Sequence, residues 1–290
     1  MSFTRRGAFI AASAAILLPR RGLARGDALA KLLPEIEQRL GARFGAYLLD
    51  TQSNRLWQHR ANERFPMCST FKALACGAIL ARVDAGQEKL DRRIVISRED
   101  IVSYSPVTET RIGGTGMTLA EVCIAAVTQS DNTAGNILID SLGGPGGVTD
   151  FARGLGDAVT RLDRRETALN EAKPGDPRDT TSPAAMAASL QALALGDRLS
   201  PVSRVQFVEW LVANRTGDAK LRAGLPKSWR IGDKTGGGDF GTMNDIALIW
   251  PPGSKPVIAS LYMTETKASF DVRNAAFAEI GRALAASLAA

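Results

Sequence analysis

The sequence predicts an α+β (α/β) fold: an antiparallel sheet lobe built from both chain ends, an inserted all-α lobe, and an active site in the cleft between them. Three observations predict it. Strand-like runs at Phe44–Asp50 and Arg55–Arg60 reappear only near the other end, at Arg230–Gly236, Asn244–Trp250 and Val257–Thr264. Between about Ala61 and Asn214 the signals are helical. Within that stretch Phe71–Val83 is apolar nearly all round, as a buried central helix is. The lobes are expected at 25–61 plus 212–290, and at 62–211.

The elements follow in order. A helix runs over about Ala28–Leu40, and Ser53-Asn54 turns the chain between the first two strands. Thr118-Leu119-Ala120-Glu121 reads as a capping box opening a helix through Val127. Gly143-Gly144 stops the helix that follows Asp131-Asn132-Thr133. Ser182-Pro183 and Ser200-Pro201 each place an N-cap before Pro at the first helical position. The stretch Arg161–Asp179 is polar and reads as a loop with no helix of its own worth naming. Loops of that length inside a compact domain are usually functional. A helix over about Val272–Leu288 closes the chain.

Residues 1–24 stand apart. Thr4-Arg5-Arg6-Gly7-Ala8-Phe9-Ile10 is a twin-arginine pattern, the apolar run Ala11–Leu18 is far shorter than the ~20 residues of a membrane span, and Gly22-Leu23-Ala24 is a small-x-small cleavage site. The expectation is a twin-arginine export signal and a periplasmic or secreted mature protein, with no membrane partner after cleavage. Its four arginines, unopposed by any acid, account for four of the six net positive charges of the 290-residue chain. The remaining excess is small and its basic residues form no stripe, so nucleic acid is not expected as a partner.

A single histidine, His59, excludes a His-rich zinc site, and no metal or other cofactor is expected. His59 reads as an ordinary surface residue rather than a triad base. Export makes a disulfide permissible among Cys68, Cys76 and Cys123, with the odd one free or buried.

Ser69-Thr70-Phe71-Lys72 is S-x-x-K at the head of the buried helix, and i, i+3 spacing puts both side chains on one helix face. The helix N-terminus favours anionic charge beside Ser69 and disfavours a protonated Lys72, which suits a proton acceptor. Alone, roughly one such motif is expected by chance at this length and average composition. Ser130-Asp131-Asn132 and Lys234-Thr235-Gly236 follow, each at odds of roughly one in twenty, and Glu166-x-x-Leu169-Asn170 lowers the joint chance to around one in ten thousand.

At these residues the sequence resembles the class A serine β-lactamases, a family marked by S-x-x-K, S-D-N and K-T-G. The resemblance runs from about Phe44 to the last helix. It includes Tyr104-Ser105-Pro106-Val107-Thr108-Glu109, Pro174–Pro183 and Gly241–Ala247. It implies hydrolysis of β-lactam antibiotics, penicillins and cephalosporins, through an acyl-enzyme on Ser69. It further implies Lys72 as proton acceptor or relay, Ser130 as proton donor to the leaving nitrogen, and Glu166 as the base that activates the deacylating water with Asn170. Lys234 and Thr235 are then binders of the substrate carboxylate, and Asn132 and Tyr104 substrate contacts. The backbone N–H groups of Ser69 and Gly237 make the oxyanion hole. Arg161–Asp179 resembles the family's Ω-loop, with Arg164 and Asp179 paired across it. Cys76 and Cys123 resemble its disulfide. Cys68 reads as a buried filler rather than a nucleophile.

Two positions depart from the pattern. Thr167 follows Glu166 where many members have Pro, and Met243 stands where many carry Arg. Lys220 resembles the alternative position for that cation; otherwise it is a solvated surface lysine. A penicillin-binding D-alanyl-D-alanine peptidase shares S-x-x-K and K-T-G but needs no such glutamate. A β-lactam sensor domain, acylated once and held, expects a transmembrane helix. A monomer acting on small molecules is expected.

Overall fold

The computed structural model describes residues 28–289. The expected export signal lies outside them. The helix α1 (Ala28–Leu40) leads into the hairpin β1 (Arg43–Asp50) and β2 (Leu56–His59), whose turn uses Asn54 at φ 59°. Then come β3 (Phe65–Pro66), α2 (Phe71–Asp84), β4 (Arg93–Ile94), β5 (Met117–Thr118), α3 (Leu119–Thr128), α4 (Asn132–Ser141) and α5 (Pro145–Gly154). After the Ω-loop the chain forms β6 (Thr180–Thr181), α6 (Pro183–Ala194), α7 (Pro201–Val212) and the single turn α8 (Leu221–Gly224). It ends with β7 (Arg230–Gly238), β8 (Thr242–Trp250), β9 (Val257–Thr264) and α9 (Phe270–Leu288).

One antiparallel sheet of order β2-β1-β9-β8-β7 unites the two chain ends. Both its faces are covered. On one, Leu33, Ile36, Phe277 and Leu284 of α1 and α9 pack on Leu48, Ala247 and Ile249; on the other, Ile246, Leu248 and Tyr262 join the core of the helical lobe. Successive residues of β8 thus enter opposite cores, and every residue from Thr242 to Ile249 is buried. Strand side chains alternate, but burial on both faces makes the sequence read as a continuous apolar run.

The helical lobe packs around α2, whose first ten residues are all buried. Its caps form as expected. Thr118 and Glu121 close a capping box, and Ser182 and Ser200 accept from the backbone N–H groups of Ala185 and Ser203. Two expectations need correction. The 62–211 stretch is not purely helical: β3 pairs with β6, and β4 with β5. The Ω-loop is not without helix, because Ala168–Glu171 forms one 3₁₀ turn.

His59 lies on the sheet edge furthest from β7. It is half-buried and bonds Glu37 at 3.1 Å, rather than standing free on the surface. Among the described residues no helix is long and apolar enough to cross a membrane.

Candidate active site

Ser69 sits in a 3₁₀ turn, Cys68–Thr70, that runs straight into α2 and places Lys72 one turn on. Lys72 Nζ lies 3.0 Å from Ser69 Oγ, 2.8 Å from the Ser130 carbonyl, 2.7 Å from Asn132 Oδ1 and 2.9 Å from Glu166 Oε1. An ammonium has three N–H donors, so four oxygens cannot all be served at once. Ser69 Oγ is also 3.2 Å from Glu166 Oε1 and can donate there. The Lys72 and Glu166 side chains are wholly buried, which strengthens their attraction relative to water. Room for Lys72 depends on Gly135 of α4, since a Cβ there would meet Lys72 Cε at 2.6 Å.

Glu166 is fixed from two sides. Asn136 Oδ1 accepts from its backbone N–H at 2.8 Å and Asn136 Nδ2 donates to its carbonyl at 3.0 Å. Asn170 Nδ2 donates to Oε2 at 2.5 Å, leaving Asn170 Oδ1 buried with no protein partner. The Glu166–Thr167 peptide is cis. Arg164 Nε bonds Asp179 Oδ2 across the loop as expected. The loop is tied to the sheet by Asp239 N donating to the Asn170 carbonyl at 3.0 Å. That approach needs Gly238, where a Cβ would fall 2.6 Å from the same oxygen.

Ser130 takes φ 57° between α3 and α4, the left-handed region uncommon for residues other than glycine. Its hydroxyl accepts from Lys234 Nζ at 3.0 Å. Asp131 is structural: it caps α4 through Ala134 N–H and accepts from the N–H groups of Val107 and Thr108. Lys234 is fully buried on β7 and also donates to the Thr235 carbonyl at 2.8 Å. Burial first, and the Lys72 charge second, bring its pKa from 10.5 to about 7. Thr235 shares a hydrogen bond of 2.5 Å with Thr216.

Lys220 is not a solvated surface lysine. It is buried, donates to the Thr216 carbonyl at 3.3 Å, and lies 5.3 Å from the Phe270 ring centroid. Burial lowers its pKa, while the nearby carboxylates of Asp245 and Asp233 oppose that shift. Met243, at the departing position, is buried on β8 opposite Gly237 of β7.

Ser69, Ser130, Asn132, Asn170, Thr235 and Gly237, with Lys220 and Met243, line one cavity of about 600 Å³, and Lys72, Glu166 and Lys234 lie buried behind them. Tyr104 forms an exposed lip, and its carbonyl accepts from Asn132 N–H at 3.0 Å. A second cavity of about 510 Å³ lies beneath the Ω-loop beside Arg43 and Lys173, and none of the Ser69 cluster lines it. Sequence reasoning missed Asn136, Thr216, Gln129, Arg215 and Phe270. Only Asn136 carried a signal, standing four residues from Asn132 on the same face of α4.

The three cysteines are buried thiols in this structure, so the expected Cys76–Cys123 bond is not formed. Cys76 Sγ instead contacts the Cys123 carbonyl at 3.8 Å. Cys68 is a filler: burial pushes its thiol well above the ordinary range, and it packs beside Gly236 and Gly238. Among the described residues no group of His, Cys, Asp and Glu could hold a metal ion.

Comparisons with known proteins agree with this geometry. Residues 27–288 match the family model described as the Beta-lactamase enzyme family. The chain is 52% identical over 253 residues to β-lactamase FAR-1 of Nocardia farcinica, covering 87% of this chain and 80% of that one. It is 48% identical over 250 residues to β-lactamase CTX-M-97 of Escherichia coli, covering 86% of each. Among solved structures, an ancestral (GNCA) class A β-lactamase is 59% identical with a TM-score of 0.88, covering 89% of this chain and 99% of the other. A putative class A β-lactamase, PenP, from Rhodopseudomonas palustris is 55% identical, also with a TM-score of 0.88, over 90% of this chain and 100% of its own.

Proposed function

The chain belongs to the class A serine β-lactamases and hydrolyses β-lactams, and from that premise we propose how its residues divide the reaction. Ser69 Oγ attacks the lactam carbonyl. Its proton can pass to the Glu166 carboxylate at 3.2 Å, or to Lys72 at 3.0 Å once Lys72 has given a proton to Glu166, 2.9 Å away. The C–N bond breaks as Ser130 passes its proton to the nitrogen and receives in turn the one taken from Ser69, while Lys234, bonded to Ser130 Oγ, stabilises the negative charge that develops on that oxygen. Backbone N–H groups of Ser69 and Gly237 hold the oxyanion.

The observation that carries this reading is the buried Glu166 carboxylate within reach of both Ser69 and Lys72. A base there can take a proton from the water that attacks the ester, and Asn170 Oδ1 is free of protein partners to orient that water. The ester bond then breaks, and Ser69 regains its proton. Lys234, Thr235 and Lys220 bind the substrate carboxylate. Asn132 spends Oδ1 on Lys72 and one Nδ2 proton on the Ser103 carbonyl, leaving one N–H for the acylamide side chain. Tyr104 packs against the same side chain.

The same reading takes residues 1–24 as a twin-arginine export signal and the mature enzyme as a monomer in the periplasm or outside the cell. Although both are free thiols in this structure, the same reading takes Cys76 and Cys123 as a pair that a disulfide-donating partner outside the cytoplasm joins, accepting their two electrons and two protons. The direct test is peptide mapping after incubation with a slowly released β-lactam. One adduct on the Ser69 peptide is expected, with chromogenic cephalosporin turnover unaffected by chelators. An adduct on Cys68 or Ser130 instead overturns the assignment.

A further inference from the structure

Phe270 opens α9 at the mouth of the cleft. The residue is 59% exposed, and it lines the same cavity as Ser69 and Thr235. A helix of 19 residues capped by Ser269 needs no phenylalanine at its first position. Nor does the core use this ring. Its near neighbours are cations: Lys220 Nζ at 5.3 Å and Arg273 Cζ at 5.8 Å from its centroid. Cations near an aromatic face are attracted by its quadrupole, so the ring is held in place while an apolar surface stays open to the cleft.

We propose that Phe270 is a specificity-determining residue whose ring receives the substituent next to the substrate carboxylate. The inference rests on the carboxylate-binding role given above to Lys234, Thr235 and Lys220. In a cephalosporin the carboxylate sits on ring carbon C4, and the variable substituent is on the adjacent C3. A carboxylate held by Lys220 and Thr235 therefore brings the C3 group to the wall that Lys220 shares with Phe270. A flat, neutral heteroaryl group stacks there; a methyl group is too small to cover the ring. Aromatic pairs of this kind contribute enough to change affinity by about 2–10-fold.

The test uses two cephalosporins with one common C7 side chain, bearing C3-methyl or C3-heteroarylthiomethyl. The readout is the ratio of their kcat/KM values in wild type, Phe270→Ala and Phe270→Tyr. The Ala variant is expected to lower the heteroaryl-to-methyl ratio by about 3–10-fold, mostly through KM, and Tyr to restore it. Equal losses on both substrates would mean the ring acts only through Lys220 or the fold, and an unchanged ratio would mean it touches no substituent. Either result overturns the proposal. The carboxylate reading is judged separately, by comparing Lys220→Ala on a free-acid cephalosporin and on its C4 ester. Equal effects there would remove the premise whatever Phe270 does.

Discussion

Arg164 Nε lies 2.5 Å from Asp179 Oδ2, and this pair joins the two ends of the loop that carries Glu166 and Asn170. Asp179 is almost fully buried at φ 55°, and its Oδ1 accepts from the backbone N–H groups of Asp163 and Arg164. Arg164 also reaches Glu171 at 2.5 Å. In Asp179→Asn the amide oxygen can still accept, but the partly buried guanidinium loses the buried one of its two counter-charges. Breaking a buried pair costs roughly 3–5 kcal/mol, and the lower end applies here because Arg164 keeps Glu171. Differential scanning calorimetry should show a Tm lower by roughly 6–12 °C. Rates on bulky cephalosporins should rise relative to penicillins as the loop loosens. An unchanged Tm together with an unchanged substrate ratio would sink the idea.

Lys220→Ala should raise KM for benzylpenicillin about 10-fold, with Lys234 still present and kcat less affected. A charge-assisted hydrogen bond to a carboxylate has roughly that effect. Lys220→Arg should recover part of the loss, because the positive charge matters more than its exact shape. Equal loss on a substrate lacking the carboxylate would point to damage in the buried group of Lys220, Asp233 and Asp245 instead.

How far the sequence revealed all this depended on whether a feature had a local signature. The sheet strands and the buried helix were legible because apolar runs and caps are local. So were Ser69, Lys72, Ser130 and Lys234, whose motifs keep fixed spacing. The β3–β6 and β4–β5 pairs were not, because two-residue strands have no periodicity and form only when the fold brings them together. The 3₁₀ turn at Ala168–Glu171 was hidden for the same reason. The two readings of Lys220 could not be separated in sequence. Burial by α9 and β8 decides between them, and nothing near Lys220 in the chain encodes it.

Lys234 should give activity and stability opposite pH dependences. Its folded pKa of about 7 lies below the ordinary 10.5, chiefly because of burial. In the free enzyme the charged form, which the proposed carboxylate contact requires, declines as pH rises through about 7, so kcat/KM for penicillins should fall on that limb. A bound carboxylate restores a counter-charge, so the same limb in kcat should lie at higher pH. For stability, the unfolded chain binds more protons than the folded one between about pH 7 and 10.5, so this lysine's destabilising contribution fades as pH rises through that window. The Tm advantage of Lys234→Met over wild type should shrink from pH 6 to pH 9. A kcat/KM that stays flat to pH 9, or a growing Tm advantage, would contradict this account.

Glu166 tests the deacylation step itself. The ester on Ser69 is stable to bulk water unless a base removes a proton in the transition state, an effect of typically ~10²–10⁴-fold. Glu166 is the one buried carboxylate that the described residues bring within 3.2 Å of Ser69 Oγ, and Asn170 and Asn136 hold it there. Asp131, the other acid of the motifs, is consumed in capping α4 and anchoring Val107 and Thr108. In Glu166→Ala the Lys72 amine, still 3.0 Å from Ser69 Oγ, can take the serine proton in its neutral form, so a route for acylation survives. The variant should therefore still be acylated by a penicillin, more slowly if Glu166 is also the acylation base, and release product slower by about 10²–10⁴-fold. Stopped-flow traces should show a burst of one equivalent followed by near-zero turnover, and intact mass should show the adduct accumulating. Removing Glu166 also leaves the Lys72 ammonium without its counter-charge, so thermal unfolding of the variant must be recorded alongside. A folded variant that turns over penicillin at the wild-type steady-state rate would mean that another group activates the water.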